Sequence, residues 1–205
     1  MKLNKMMAGI YAANCYVYYD EKSKDAVIVD PGGDAEDIWK FVSENSLNVL
    51  GILLTHGHAD HIAGIPELLA RKKIPIYCHS ADEEMCRNSD MNFSSMMAMG
   101  SVEFEPDFVF KDGDLLNFGS LDIKVLHTPG HTRGSCCFEI SEGILSGDTL
   151  FQMSVGRTDL YGGSSASLIN SIRNKLFSYP DETQVFPGHG ANTMIGYEKK
   201  HNPFL

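Results

Sequence analysis

The run Val49-Leu50-Gly51-Ile52-Leu53-Leu54 is apolar throughout and then breaks abruptly into Thr55-His56-Gly57-His58-Ala59-Asp60-His61. A short apolar run with such an end reads as a strand buried on both faces that delivers its C-terminus to a site. Three histidines and an aspartate packed this closely cannot share one helical face. A strand-to-helix loop can fan them around a point, and Gly57 permits the tight backbone there. Three more polar clusters directly follow strand-like runs: His127-Thr128-Pro129-Gly130-His131-Thr132, Ser146-Gly147-Asp148 and Pro187-Gly188-His189-Gly190. Neutral imidazole and carboxylate are ligands of divalent ions such as zinc, iron and manganese.

The chain that carries these clusters has 205 residues, 43% hydrophobic and 21% charged, an ordinary globular mixture of one-domain length (1–205). No stretch approaches the ~20 apolar residues of a membrane helix. The opening MKLNKMMAGIYAANCYVYY lacks the continuous apolar segment of a signal peptide. With 17 Lys+Arg against 27 Asp+Glu, the formal net charge is −10, and no basic block is present to track phosphates, which argues against nucleic acid as a partner. Cys15, Cys78, Cys86, Cys136 and Cys137 are odd in number and form no C-x-x-C pair. Adjacent Cys136 and Cys137 would point to opposite faces of a strand, so free thiols in a reducing cytosol are expected. The expectation is a cytoplasmic protein with a small-molecule substrate and neither a membrane nor a nucleic-acid partner.

Periodicity places strands over 14–20 and 25–32, joined as a hairpin by the polar turn 21–24. A helix follows over 34–45, with Asp34 as N-cap and Ile38, Phe41 and Val42 on one face. The buried strand covers 49–56, a helix 61–73, a strand 74–79, and short helical signals 80–99. Turns at 111–113 and 117–120 frame short strands, and further strands fall at 121–128, 135–140 and 143–148. A helix spans 164–178 through Leu168, Ile172 and Leu176, and a last strand at 184–189 precedes a short tail. Strand groups with interspersed helices define an α/β layered domain.

The ordered set H-x-H-x-D-H, one His, one Asp and a final His resembles the metallo-β-lactamase superfamily from about Asn14 to His189. Within it, "VDPGG", "THGHADHIAG", "HTPGHT", "SGDTL" and "PGHG" are most similar to the glyoxalase II group of thioester hydrolases. The resemblance implies a four-layer αββα sandwich with the metal site at one edge of the two sheets. It implies one ion on His56, His58 and His131, a second on Asp60, His61 and His189, and Asp148 bridging both. The ions are expected to be zinc, with iron and manganese suiting the same donors. Two such ions ~3.5–4 Å apart lower the pKa of a shared water to ~7, so the expected reaction is attack of a bridging hydroxide on a hydroxyacyl thioester or related ester. A thiol, with pKa near ~8.5, leaves without a strong acid, whereas an amine needs a proton donor. With one ion, Asp60 becomes a catalytic base. The alternatives of the same fold are a mononuclear iron persulfide dioxygenase and a lactonase. A β-lactamase is disfavoured, because a bridging aspartate is atypical there.

Full glyoxalase II enzymes continue past the last metal histidine into a helical domain that grips glutathione. Here 16 residues follow His189, so those glutathione-holding residues have no counterpart and the resemblance is to short relatives. Other residues carry less. Asp30 reads equally as the orienter of a ligand imidazole or as a turn residue beside Pro31. His79 and His127 read as structural strand-end histidines, and Asn14 and Cys15 as strand-edge residues. Arg157 and Asp159 read as a loop ion pair, and Arg133 as solvent-exposed. The Met-rich Met91, Met96, Met97 and Met99 read as packing at helical spacing, with an apolar cover over the pocket as the other reading.

Overall fold

The computed structural model describes residues 1–97 and 100–205; Met99 lies outside the described residues. The chain opens with β1 (Lys2–Ala8), paired antiparallel over its whole length with β2 (Ala13–Tyr19), which turns back into β3 (Asp25–Val29). Helix α1 (Ala35–Glu44) leads to β4 (Asn48–Leu53), then α2 (Ala59–Ile62), α3 (Ile65–Arg71) and β5 (Ile76–His79). After α4 (Glu83–Cys86) and a 3₁₀ turn at Ser94–Met96, β6 (Phe108–Phe110) completes a six-stranded sheet in the order β1-β2-β3-β4-β5-β6.

The second half builds the partner sheet from β7 (Leu115–Phe118), β8 (Leu121–His127), β9 (Cys136–Ile140) and β10 (Gly143–Gly147). The small hairpin of β11 (Leu150–Phe151) and β12 (Ser154–Val155) and helix α5 (Ser165–Asn174) intervene. Then come β13 (Gln184–Pro187), β14 (Thr193–Met194) and α6 (Ile195–His201), giving the sheet order β14-β13-β10-β9-β8-β7.

Side-chain alternation along the strands makes four layers. Tyr16, Tyr18, Val27, Val29 and Leu53 face Ile123, Val125, Cys136 and Phe138 across the space between the sheets. The opposite faces of the first sheet, through Cys15, Val17, Ala26 and Ile28, take Ile38 and Val42 of α1 and Ile62, Ile65 and Leu68 of α2 and α3. The outer face of the second takes Leu168 and Ile172 of α5 and Ile195 of α6. Cys136 and Cys137 do face opposite layers, and all five cysteines are free and buried.

Strand direction then fixes where the loops meet. β3 and β4 are parallel. β9 is antiparallel to both β8 and β10, and β10 is parallel to β13, so β8, β10 and β13 all point one way. The loops that follow these strands carry the four polar clusters. Among the described residues, no helix is long and apolar enough to cross a membrane.

Several local expectations are corrected. The helix expected over 61–73 is two: Gly64 sits so close to the loop before α1 that a Cβ would lie 2.8 Å from the Pro31 carbonyl, and Pro66 begins α3. Asp34 occupies the N-cap position of α1 in a left-handed conformation (φ 45°) but caps nothing; its carboxylate accepts from the Gly9 amide instead. Residues 117–118 belong to β7, not a turn. The tail after His189 contains β14 and α6. Met96 is exposed on a 3₁₀ turn, so among the described residues the Met-rich segment is not a packed helix.

Candidate metal centre

At the end of β4 the chain turns through Thr55, His56, Gly57 and His58 into α2, which adds Asp60 and His61. Gly57 is needed here for space rather than for its backbone angle: a Cβ would meet Met85 Cβ at 2.9 Å. The loop after β8 supplies His131, the end of β10 supplies Asp148, and the end of β13 supplies His189.

These seven side chains converge. Ligand atoms of His56, His58 and His131 lie within 4.8 Å of one another, as do those of Asp60, His61 and His189. Asp148 reaches both sets: its Oδ2 is 3.6 Å from His131 Nε2 and 3.7 Å from His189 Nε2, and its Oδ1 is 3.4 Å from His61 Nε2. Asp60 Oδ2 is 3.2 Å from His189 Nε2. Three buried atoms, His56 Nε2, His58 Nε2 and Asp148 Oδ1, have no hydrogen-bond partner in the protein. Orphaned buried groups are costly, so His56 Nε2 and Asp148 Oδ1 fit a divalent cation as the missing partner; His58 instead brings its Nδ1, 2.8 Å from His131 Nε2, to the first donor set.

The imidazoles are oriented from behind, as ligand histidines require. His61 Nδ1 donates to Asp30 Oδ2 at 3.0 Å, and His131 Nδ1 donates to the Arg157 carbonyl at 2.7 Å; each leaves its Nε2 lone pair facing the cluster. Thr55 Oγ1 donates to Asp30 Oδ2 and receives His56 Nδ1 at 3.1 Å, so Asp30 orients His56 through a hydroxyl. These tautomers follow from the hydrogen-bond network. Asp30, His56 and His61 also lie close enough to hold an ion. Asp30, however, is occupied by the Thr55 amide and hydroxyl and by His61. Both readings of Asp30 hold: its carboxylate orients the imidazoles, while its backbone, at φ 52°, forms a turn in which its carbonyl accepts from the Gly32 amide at 2.9 Å.

The charges complement this arrangement. Burial, reinforced by His61 and His131, holds His56 well below the ordinary imidazole value, and burial beside His131 pushes His58 down to about 3, so both are neutral donors. Burial is also the largest influence on His61 and works against its charge. The carboxylates Asp148, Asp60 and Asp30 together outweigh it and raise the group well above the usual value, so an ion at His61 Nε2 would displace a proton held there. Burial opposes ionisation of Asp60 and Asp148, yet the surrounding histidines keep both carboxyls below their usual range.

Further contacts surround the cluster, and the first of them was not legible in the sequence. Buried Asp82 accepts from the Gly57 amide (3.2 Å), the Thr132 hydroxyl (2.6 Å) and the Gly134 amide (2.6 Å), tying the first histidine loop to the second. Asn14 Nδ2 donates to the Pro187 and Gly190 carbonyls, which fixes the His189 loop. His79 and His127 stack at 4.0 Å away from the cluster and are structural. Arg157 and Asp159 form the expected ion pair, with two contacts of 2.8 and 2.9 Å. Arg133 is exposed but not free, its guanidinium lying 5.1 Å over the Tyr161 ring. A pocket of about 370 Å³ opens on His58, Asp60, His131 and Asp148, and Met96 and Met97 line it, which favours the covering role for this segment.

Two packed sheets with a His/Asp cluster at the strand ends define the architecture of a metal-binding fold. The family model of the metallo-β-lactamase superfamily matches residues 8–189, and the chain belongs to that superfamily. It is 36% identical to the hydroxyacylglutathione hydrolase GloC of Haemophilus influenzae, over 95% of this chain and 93% of that protein. Among solved structures it resembles the BLEG-1 B3 metallo-β-lactamase (TM-score 0.94, 38% identity, 100% of this chain and 99% of that one). It also resembles TTHA1623 in a di-iron-bound form (TM-score 0.87, 32% identity, 98% and 100%). The family supports a hydrolase at the general level and divalent metal as its cofactor.

Proposed function

We propose that this protein is a dinuclear metal-dependent hydrolase of acyl thioesters, of the glyoxalase II type. The observation that carries this reading is Asp148, whose carboxylate lies within 3.7 Å of imidazole nitrogens from both donor sets and so can serve two ions at once. In this reading His56, His58 and His131 hold one ion, Asp60, His61 and His189 the other, and Asp148 is shared. When bound, such a pair supplies Lewis acidity for a carbonyl oxygen and an activated water near neutral pH; zinc is the first candidate, with iron and manganese suited to the same donors. The chain itself orients the donors through Asp30, Thr55 and the Arg157 carbonyl, and it admits substrate beside His58 and His131. With a single ion, Asp60 Oδ2 is the base. A thiolate leaves readily without a dedicated acid, which favours thioesters over amides.

The thiol carrier is tested directly. The Haemophilus relative is named a hydroxyacylglutathione hydrolase, so S-lactoylglutathione heads a panel that includes thioesters of smaller thiols. Protein of measured metal content is expected to release thiol, and His58→Ala and Asp148→Ala are expected to abolish the release. The likeness to BLEG-1 supports β-lactam hydrolysis as a second reading. Turnover of a chromogenic cephalosporin without thiol release from any thioester would select it over the first.

A further inference from the structure

Phe93 stands in the left-handed region, at φ 68° and ψ 7°, a conformation rarely adopted by a bulky aromatic and one that persists only where its surroundings impose it. The surroundings here are built around Asn92, which is fully buried. Its Nδ2 donates to the Met85 and Val102 carbonyls, both at 2.9 Å, and its Oδ1 accepts from the Ser94 amide at 2.9 Å. Its own carbonyl accepts from Ala59, the first residue of α2, at 2.9 Å. The strained residue is thereby fastened to the element that carries Asp60 and His61. Its ring lies 5.6 Å from the His58 ring, centre to centre.

Phe93 shares the pocket beside the donor cluster with Tyr11, Met96, Met97 and Leu160, so one aromatic and aliphatic wall adjoins the point where a carbonyl would react. Apart from histidine, the one cation among the described lining residues is Arg157, and both contacts of its guanidinium go to Asp159. An anionic tail on the substrate would therefore compete with Asp159 for its charge partner, whereas an apolar tail meets ready surface.

We propose that Phe93 is a specificity-determining residue and that the site takes acyl compounds whose acyl group is an uncharged apolar chain of several carbons. Asn92 is the positioning residue that holds the wall. This rests on the hydrolase reading for its chemistry, but it is testable by binding alone.

The probes are acetate, butyrate, hexanoate and succinate, titrated calorimetrically into zinc-loaded wild type and Phe93→Ala. Each methylene buried against the wall tightens Kd about fourfold, so hexanoate is expected to bind at least tenfold tighter than butyrate, and succinate weaker than butyrate. Phe93→Ala is expected to cut the hexanoate-to-acetate ratio at least fivefold. Phe93→Gly, which relieves the backbone, is expected to keep the wild-type melting temperature while losing the same discrimination. In parallel, thiol release from acetyl, butyryl and hexanoyl thioesters of one thiol is expected to improve with chain length in wild type, the Phe93→Ala effect falling on KM rather than kcat. Equal Kd for the three monocarboxylates, succinate binding tighter than butyrate, or an equal effect of Phe93→Ala on all three would overturn the proposal. Chain-length discrimination in binding with no thioester cleaved would leave it standing and defeat the hydrolase reading instead.

Discussion

Asp30 illustrates how this site is held at the scale of single residues. Its two oxygens accept from the Thr55 amide, the Thr55 hydroxyl and His61 Nδ1, so each hydrogen bond it receives fixes the direction of a donor toward the cluster. Asp30→Asn keeps the shape but turns an NH₂ toward groups that are themselves donors. It is expected to weaken zinc binding about 10–100-fold, read by competition with a chromogenic chelator, with far-UV circular dichroism unchanged. Gly188 makes a complementary test, because a Cβ there would lie 2.3 Å from Asp148 Oδ1 and 2.7 Å from His61 Cε1. Gly188→Ala is expected to bring the metal-to-protein ratio below half that of wild type in a folded protein, measured by elemental analysis. That the seven side chains would converge was legible in the sequence, because each is a residue type that metal chemistry requires, in a fixed order after apolar strands. Asp82, Asn92 and Phe93 were not. Asp82 and Asn92 act largely on backbone amides and carbonyls of distant loops, and nothing in their neighbourhood distinguishes them from ordinary polar residues.

At the scale of elements, legibility followed burial. β4, buried almost throughout, announces itself, and α1 and α5 show their apolar faces. β1 escaped notice because it is an edge strand exposed over much of its length, whose pairing with β2 rests on backbone hydrogen bonds rather than an apolar pattern. α6 escaped because Ile195 is its one large apolar buried anchor and its other fastening is polar. Glu198, fully buried, accepts from the Thr193 hydroxyl, the Met153 amide at 2.9 Å and Asn202 Nδ2 at 2.8 Å, docking α6 on β14 and on the turn between β11 and β12. Glu198→Ala strands those donors. At about 1 kcal/mol for each, the loss is about 3 kcal/mol, or about 6–12 °C in melting temperature for a chain of this size. Calorimetry checks the shift. If metal content is lost well below the melting transition, α6 supports the centre rather than the fold alone.

For the whole molecule, the question is whether the sheets or the ions bring the donors together, and pH and metal removal separate the two. His79 reports on the scaffold. Burial first, and then the stacked His127 and nearby Lys175, push it down to about 4, with Asp112 and Asp114 opposing. An unfolded histidine titrates near ~6.5, so between about pH 6.5 and 4 the unfolded chain binds a proton that the folded chain refuses. Its contribution is complete above that window and falls as the pH drops through it. His79→Gln is expected to flatten the dependence of the urea midpoint on pH between 6.5 and 4.5. Metal binding adds stability of another kind. If ions bind only the folded chain, a free concentration a hundredfold above Kd contributes about 2.7 kcal/mol at each of two sites, so chelation is expected to lower the melting temperature by about 11–22 °C. That difference should shrink as acid competes for the imidazoles. The chelated chain is nevertheless expected to melt in a single cooperative transition. Asp30, Thr55, Asp82, Asn14 and the Arg157 carbonyl hold the donors and their loops through protein contacts alone, and the sheets beneath them are packed on both faces. Loss of far-UV circular dichroism at 25 °C on chelation would show instead that the centre is assembled by its ions.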